Sequence, residues 1–264
     1  MIEALAKLRM HPKSLEIYQR FWPVYTGHRL IRIGGEEDGS YVLPNVLDGI
    51  QLCLSPGICG VIEFERHLGM TYGIPTIGCD PDLQVIADLP DFIRLDRLAL
   101  AASTGPGKIS FADWLSLHGY TDASPLLLSM DIEGGEYEVI PSLSSEDLAR
   151  IRIATIEFHY LHLLHQAHSP EARLFADTVE SCLSKILLTH DIVHMKPNNN
   201  CPFDVVIKNR RYTAYTCIEV TFLNKQLRYC APQRLPLGRL PHMLDRPNVN
   251  SRLQADYSFY STFA

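Results

Sequence analysis

Acidic side chains follow three apolar runs of the sequence, and a glycine turn follows a fourth. Gly57 comes after QLCLS, Asp80 after PTIGC, Asp131 after LLLSM, and Glu157 after IRIATI. Ligands of open α/β sheets bind outside the carboxyl ends of the strands, so these four positions are expected to meet at one edge of a sheet. Core packing needs no acids there, which indicates a binding or catalytic site.

The first two positions predict a nucleoside cofactor. Gly57 lets the backbone approach a ligand closely, and the start of the following helix offers free N–H groups. Asp80 lies 23 residues after Gly57, close to the spacing of about 20 residues for an acid that binds ribose hydroxyls. The structural alternatives are a plain turn at Gly57 and a helix N-cap at Asp80, helped by Pro81.

The segment LLLSMDIEGGEYEVI concentrates carboxylates beside an apolar strand. Asp131, Glu133 and Glu136 fall within six residues, and they repel one another unless a positive group is close. A sulfonium cofactor, a metal ion or an arginine would supply that charge. Glu136 and Glu138 have an alternative place in the first turn of a helix, where the helix dipole favours acids. Asp131, directly after the strand, is predicted to be functional.

A second acidic and imidazole pair follows in TIEFHYLH. Glu157 and His159 lie on the same side if the strand continues, and such a pair can act as a base or as ligands. A structural, hydrogen-bonded histidine is the alternative. Three more histidines follow within ten residues of His159, but a zinc site lacks its other ligands at a suitable spacing. Asn198–Asn200 form either an ordinary turn or a site for polar hydroxyls.

The elements that position these residues are predicted from short apolar runs separated by helical patterns, which are typical of a mostly parallel sheet with helices on both faces. A helical N-terminal extension is expected over 1–30, the core domain over 31–227, and a Pro-rich tail packed on the core over 228–264. The third strand is expected at Leu98–Ala102. The predicted strands are Gln51–Ser55, Pro75–Cys79, Leu98–Ala102, Leu126–Met130, Ile151–Ile156, Ile192–Met195 and Cys217–Leu223, and the predicted helices are Val61–Tyr72, Phe111–His118 and Pro170–Leu187.

Composition excludes several classes of protein. The 264 residues carry a net charge of −6. No basic stripe is visible beyond Lys208, Arg210 and Arg211, so no nucleic-acid partner is expected. No run of apolar residues is long enough for a transmembrane helix. Seven scattered cysteines without a CxxC pair fit a reducing cytoplasm, which is the expected location. The sequence leaves the oligomeric state undecided, because the aromatic residues of the tail can pack on the body of the protein or on a partner.

The order and spacing of these motifs resemble the FkbM-like methyltransferases, a family that uses S-adenosylmethionine (SAM), and in particular a bacterial subgroup of it. The resemblance is strongest in SFADWL and LLLSMDIEGGEYEVI, and it extends to LSPGICGVIEFERHL and LALAASTGPGKISF. RIGGEEDGSYVLP, the NNC at Asn199–Cys201, IEVTF and LPHMLDRPN also match. The resemblance covers about Arg32 to Asn248 and implies a Rossmann-like SAM methyltransferase fold.

The resemblance also implies residue roles. Gly57 would lie against the methionine part of SAM, Asp80 at the ribose, and Asp131 near the sulfonium and the acceptor. Ala102 and Ser103 would lie at the adenine edge. The implied cofactor-binding set is Ser55, Gly57, Glu63, Asp80, Ala102, Ser103 and Asp131.

The implied activity is transfer of a methyl group to a hydroxyl of a sugar or glycan-type acceptor. Two versions of the chemistry are open. In one, His159 is the base and Glu157 orients it. In the other, Asp131 and Glu157 hold Mg²⁺ together with Asn199 or Asn200, all of which offer oxygen ligands.

Two other functions remain as alternatives. An NAD-dependent oxidoreductase shares the same core, although the first turn lacks GxGxxG and no Tyr-x-x-x-Lys pair is visible. A SAM- or glycan-binding domain without catalysis is the non-enzyme alternative, and the carboxylate cluster argues against it. A nucleic-acid methyltransferase is disfavoured by the acidic balance.

Overall fold

The structure is a computed structural model that describes residues 12–36, 38–58, 60–165, 169–207 and 210–262. Residues 1–11 of the predicted N-terminal extension lie outside the described residues, as do His168, Lys208 and Phe263. The strands are β1 Val24–Tyr25, β2 Leu30–Ile33, β3 Tyr41–Pro44, β4 Leu52–Pro56, β5 Thr76–Cys79, β6 Ile93–Asp96, β7 Ala99–Leu100, β8 Lys108–Ile109, β9 Leu126–Met130, β10 Ile151–Phe158, β11 His190–Pro197, β12 Pro202–Ile207, β13 Arg210–Tyr215, β14 Ile218–Asn224 and β15 Gln233–Arg234. The helices are α1 Pro12–Arg20, α2 Glu63–Tyr72, α3 Phe111–Leu117, α4 Glu136–Ser142, α5 Ser145–Arg150, α6 Pro170–Ile186 and α7 Ser258–Ser261.

Seven strands form the central sheet in the order β11-β14-β10-β9-β4-β5-β6. The pairs β4–β5, β5–β6, β4–β9 and β9–β10 are parallel, whereas β14 runs antiparallel to both of its neighbours. The chain builds outward from β4 to β6, then returns to place β9 on the other side of β4. That reversal is the topological switch point at which open α/β sheets bind ligands. The predicted Rossmann-like α/β fold is confirmed.

Alternate residues of the central strands enter two different apolar cores. Leu126 and Leu128 of β9 join the core that contains Trp114 of α3. Leu127 between them joins the core that contains Phe64 of α2 and Leu43 of β3. Both faces of the sheet are therefore covered, which explains why the sequence of β9 is continuously apolar.

The β2–β3 hairpin covers the second face beside α2. Thr221 Oγ1 of β14 donates a hydrogen bond of 2.8 Å to the carbonyl of Val42. The tail adds a further layer, in which Tyr257, Phe259 and Tyr260 are buried. The β12–β13 hairpin was not predicted, because its alternation of polar and apolar residues is weak.

Two strand predictions are wrong in detail. The third strand of the sheet is β6, whose residues IRLD carry charges, while the more apolar LALAA segment leaves the sheet and pairs through β7 with β8. Strand β10 does not end before Glu157 but continues to Phe158, because Phe158 still pairs with Ile218 of β14. Glu157 therefore belongs to the strand rather than to the loop after it.

None of the helices in the described part of the chain has the length and apolar character needed to cross a membrane.

Candidate functional site

Gly57 joins the two halves of the sheet at the switch point. Its N–H donates to the carbonyl of Cys79 at 2.8 Å, and the N–H of Asp131 donates to the carbonyl of Pro56 at 3.1 Å. Gly57 has φ of +92°, and a Cβ there would lie 1.6 Å from the carbonyl oxygen of Asp131. Only glycine allows this conformation and this close approach.

A cavity of about 460 Å³, here called the outer cleft, opens on one side of Gly57. Its size falls in the range of small-molecule sites. The Asp80 carboxylate accepts a hydrogen bond of 2.7 Å from the N–H of Asp82, which orients it at the end of β5. The lining residues include Gly57, Asp80, Ala101, Lys108, Asp131 and Gly134.

Two cofactor predictions need correction at the outer cleft. Ala102 and Ser103 are exposed and do not line it, whereas Ala101 does. The LALAA segment pairs with β8 instead of joining the sheet, and the chain bends at Ala102 and Ser103.

A smaller cavity of about 100 Å³, here called the inner cavity, lies on the other side of Gly57. The loop between β2 and β3 forms one wall, and α2 and the ends of β4 and β9 form the others. Its polar lining residues are Asp38, Tyr41, Ser55, Glu65, Ser129 and Asp131. Asp131 and Gly57 line both cavities, so the two spaces meet at these residues.

Glu65, rather than the predicted Glu63, faces the inner cavity. The two residues are separated by about 200° around α2, so they point in nearly opposite directions. Glu63 is exposed, whereas Glu65 is 4% exposed and accepts a hydrogen bond of 2.6 Å from Ser55 Oγ. Burial raises the pKa of Glu65 to about 7, although the bond from Ser55 opposes the rise.

The structure brings His159 and Asp131 together, with Glu136 behind the imidazole ring. The buried carboxylate of Glu136 accepts the backbone N–H of His159 at 2.7 Å, and its Oε1 lies 3.1 Å from His159 Nδ1. His159 Nε2 faces the rim, 3.5 Å from carboxylate oxygens of Asp131 and Glu133. Glu136 lies in the first turn of α4, which was the alternative to a place in the functional carboxylate cluster. Nothing in its local sequence indicates that His159 lies beside it.

The pKa values of Asp131 and His159 are both raised, for different reasons. Burial raises the pKa of Asp131 to about 7, and the positive charge of His159 opposes the rise. Burial alone would lower the pKa of His159, but ring contacts with Cys217 and Glu136 and the charges of Glu136 and Glu157 raise it above its ordinary value. These directions favour a positively charged His159 beside the carboxyl group of Asp131.

Glu157 continues the acidic site into the sheet. It pairs in register with Glu219 of β14, which pairs in turn with Lys196 of β11. Lys196 Nζ lies 2.9 Å from Glu219 Oε1, and all three side chains are buried. Burial raises the pKa of Glu157 well above its usual range, and the nearby Asp131 and Glu219 raise it further. Glu219 and Lys196 were not predicted as site residues, because their strands are distant in sequence.

The predicted magnesium site is not assembled. Asn198, not Asn199, donates to Glu157, at 2.9 Å. The Asn199 amide instead donates to the carbonyls of Val249 and Leu253, and Asn200 is exposed. The described residues do contain the groups Asp131–Glu133–His159 and Glu157–His159–Cys217 within 4.8 Å, but neither is the all-oxygen set that Mg²⁺ prefers. The residues present therefore do not fit the predicted Mg²⁺ site.

The residues at the switch point do fit a nucleoside cofactor. Gly57 lines the outer cleft at the end of β4, and Asp80 presents a carboxylate at the end of the neighbouring strand. Asp131 Oδ1 is buried, and no described residue forms a hydrogen bond to it. A ligand that reaches Asp131 would satisfy this oxygen.

Comparison with solved structures finds low similarity. A fibrillarin/Nop5p complex is 11% identical, with a TM-score of 0.38, over 76% of this chain and 97% of that chain. The 16S rRNA (adenine(1408)-N(1))-methyltransferase from Catenulisporales acidiphilia is 11% identical, with a TM-score of 0.32, over 77% of this chain and 97% of that chain. Because these scores are below 0.5, the substrates of those proteins are not transferred to this chain.

Sequence families identify the central segment. No curated protein matches the chain. Residues 93–182 match the model of the methyltransferase FkbM domain. This segment runs from β6 through β9 and β10 into α6, and so includes Asp131, Glu157 and His159. Residues 93–182 are therefore similar to an FkbM methyltransferase domain, and they form part of a Rossmann-like α/β fold, which supports a function in methyl transfer from SAM.

Proposed function

We propose that this protein is an O-methyltransferase that methylates a hydroxyl of a sugar or glycan-type acceptor. The observation that carries the proposal is the place of Asp131, which lines both the outer cleft and the inner cavity. Its Oδ1 is buried, and no described residue forms a hydrogen bond to it. A carboxylate between a cofactor site and a second polar cavity suits a base for methyl transfer.

The outer cleft is the proposed SAM site. Gly57 would contact the methionine part, Asp80 would accept hydrogen bonds from the ribose hydroxyls, and Ala101 would lie beside the adenine. When bound, SAM supplies a methyl group activated by a positively charged sulfur. The chain contributes mainly by holding the acceptor oxygen in line with that methyl group.

Asp131 is the proposed general base. A hydroxyl in the inner cavity would give its proton to the Asp131 carboxylate as its oxygen takes the methyl group. The bond between that methyl group and the cofactor sulfur would break, with its electron pair left on sulfur. A base is most effective when its pKa lies near the working pH, and that of Asp131 is about 7. His159, held by Glu136, keeps a positive charge beside Asp131. A positively charged His159 has no free proton acceptor, which favours Asp131 over His159 as the base. Glu157 interacts with both residues through its charge.

The lining of the inner cavity supports a polyhydroxylated acceptor. Tyr41, Ser55 and Ser129 provide hydroxyls that both donate and accept hydrogen bonds. Asp38 and Glu65 add carboxyl groups. Neutral sugar hydroxyls can pair with such a mixture, whereas a phosphate group would meet only acids and hydroxyls.

The experiment combines purified protein with methyl-labelled SAM and a panel of methyl glycosides, glucuronosides and bulk RNA, with mass spectrometry as the readout. We expect label on a glycoside hydroxyl. Asp131→Asn should lower turnover by about 100- to 10,000-fold, the usual contribution of a general base. Binding of S-adenosylhomocysteine should remain measurable in this variant, because Gly57 and Asp80 are unchanged.

Glu146→Gln is the matched control, because this carboxylate is exposed on α5, away from both cavities. It should retain wild-type turnover. Near-normal turnover in Asp131→Asn, or label found only in RNA, would contradict the proposal. A failure of wild-type protein to bind S-adenosylhomocysteine would remove the cofactor site itself.

A further inference from the structure

The C-terminal segment 245–249 is anchored on the sheet beside the site. The buried Asp245 carboxylate lies 2.9 Å from His194 Nε2, and it accepts the Tyr257 hydroxyl at 3.0 Å and the N–H of His242 at 2.8 Å. Asn199 holds the other end of the segment, because its Oδ1 accepts the N–H of Val249 at 3.1 Å. The two residues outside the C-terminal region that hold this segment are His194 on β11 and Asn199 in the loop after it.

From these anchors the segment reaches the loop between β2 and β3. Asn248 is 4% exposed. Its side-chain Nδ2 donates to Asp38 Oδ1 at 2.7 Å and to Glu219 Oε1 at 2.5 Å. Its backbone carbonyl accepts the N–H of Asp38 at 3.3 Å. One side-chain amide therefore links a carboxylate of the loop to a carboxylate of the sheet.

This link matters because Asp38 forms part of the wall of the inner cavity. Asp38 and Glu219 are both acids, and like charges brought close together repel. The two N–H bonds of a primary amide can each donate to a different acceptor. Asn248 thus allows the carboxylates of Asp38 and Glu219 to lie close together. It also fixes the loop over the inner cavity to the sheet.

We propose that Asn248 is a positioning residue for methyl transfer, which holds Asp38 at the wall of the inner cavity by donating to Asp38 and Glu219 together. The proposal rests on the proposed use of the inner cavity by the acceptor. It assigns the C-terminal segment to the acceptor side of the site and leaves the outer cleft independent of it.

Asn248→Asp is the most direct test, since it keeps the size of the side chain and replaces the donor amide with an acceptor. The acceptor KM should rise at least about tenfold, the effect of losing hydrogen bonds to charged groups. Affinity for S-adenosylhomocysteine should stay within about threefold of wild type. Hydrogen exchange at the Asp38 amide, measured without any acceptor, should speed up at least about tenfold.

A pH series separates this role from a general loss of structure. Asp38 on the loop and Glu219 on β14 accept hydrogen bonds from Asn248. Lys196 on β11 pairs with Glu219, and Arg32 on β2 interacts with Glu219 through its charge. Burial raises the pKa of Glu219 above its ordinary value, and the carboxyl introduced at 248 lies beside it. Lowering the pH from about 8 to about 5.5 therefore favours a protonated carboxyl that can donate again. The ratio of variant to wild type, in KM and in exchange at Asp38, should therefore move back toward one.

Arg246→Gln is the matched control. Arg246 links the same segment to the same loop through Glu36, at 3.1 Å, but this pair is exposed. Exposed pairs contribute little, so both readouts should stay within about threefold of wild type.

Unchanged KM and unchanged exchange at Asp38 in Asn248→Asp would overturn the proposal. So would a loss of S-adenosylhomocysteine binding and thermal stability with no recovery at low pH, since that is the result of a purely structural role. If no acceptor is found, the proposed function fails, and the exchange measurement alone decides whether Asn248 holds Asp38.

Discussion

The two halves of the sheet present different groups at the edge where the candidate site lies. At the ends of β4 and β5 the site consists of a glycine turn and a single oriented carboxylate beside an open cleft. At the ends of β9, β10 and β14 it consists of charged side chains that are mostly buried and paired across strands. The first half exposes backbone to a ligand, and the second places charge where water is largely excluded.

Under the proposed function, one half of the sheet would bind the cofactor and the other half would carry the chemistry. A cofactor with many polar groups can be held by backbone and one carboxylate, with little cost in burial. Changing the pKa of Asp131 requires desolvation and neighbouring charges. That half therefore needs covering elements, which the β2–β3 hairpin and the tail provide.

Gly57→Ala should have the largest effect, because Gly57 is where the two halves touch. Its φ of +92° and a Cβ placed 1.6 Å from the Asp131 carbonyl oxygen force the backbone to move. We expect affinity for S-adenosylhomocysteine to fall by more than about 100-fold, with a lower thermal midpoint, as for other substitutions at strained positions. Calorimetric titration and thermal unfolding measure both.

Gly60→Ala is the control for this change. Gly60 lies in the same loop with φ of +141°, and a Cβ there meets nothing within 4 Å among the described residues. Affinity should fall much less than in Gly57→Ala. Equal losses in the two variants would mean that general loop strain, and not the contact with Asp131, explains the effect.

Glu65→Gln tests whether burial sets the charges of the inner half. The folded-state pKa of Glu65 is raised from 4.5 to about 7. The stability that the protonated group contributes is therefore present below about pH 4.5 and is lost as pH rises through about 7. The free energy of unfolding of wild type relative to Glu65→Gln should fall by roughly 3 kcal/mol across this range.

Denaturant unfolding at a series of pH values measures that difference. Glu63→Gln on the same helix is the control, because Glu63 is exposed, and its difference from wild type should stay nearly flat with pH. A flat difference for Glu65→Gln as well would contradict the raised pKa.

Asp80→Ala should have the smallest effect of the three, and it is confined to the outer cleft. Loss of hydrogen bonds from ribose hydroxyls to a carboxylate should weaken S-adenosylhomocysteine binding by about 10- to 100-fold. Thermal stability in the absence of ligand should change little. Asp91→Ala, which removes an exposed carboxylate before β6, should bind normally, and equal weakening by both would point to overall charge instead of a ribose contact.

Sequence reasoning succeeded where one local pattern contains the whole signal. The run LLLSM followed by Asp131 predicted both the strand and the acid at its end, and β9 has the predicted bounds. It failed where the signal was apolar content alone, since LALAA was taken as the third strand in place of β6. The sequence also does not distinguish Glu63 from Glu65, or Asn199 from Asn198, although in the structure Glu65 accepts from Ser55 and Asn198 donates to Glu157.

The amino-acid sequence by itself determined the α/β fold, the glycine turn at Gly57 and the carboxylates at the strand ends, because these depend on hydrophobic patterning and on residues close together in the chain. Only the tertiary structure decided that Glu136 holds His159 and that Asn248 joins Asp38 to Glu219. Those partners are 23, 210 and 29 residues apart in sequence. Buried polar groups must find partners wherever the fold brings them, and no local pattern encodes which distant residue that will be.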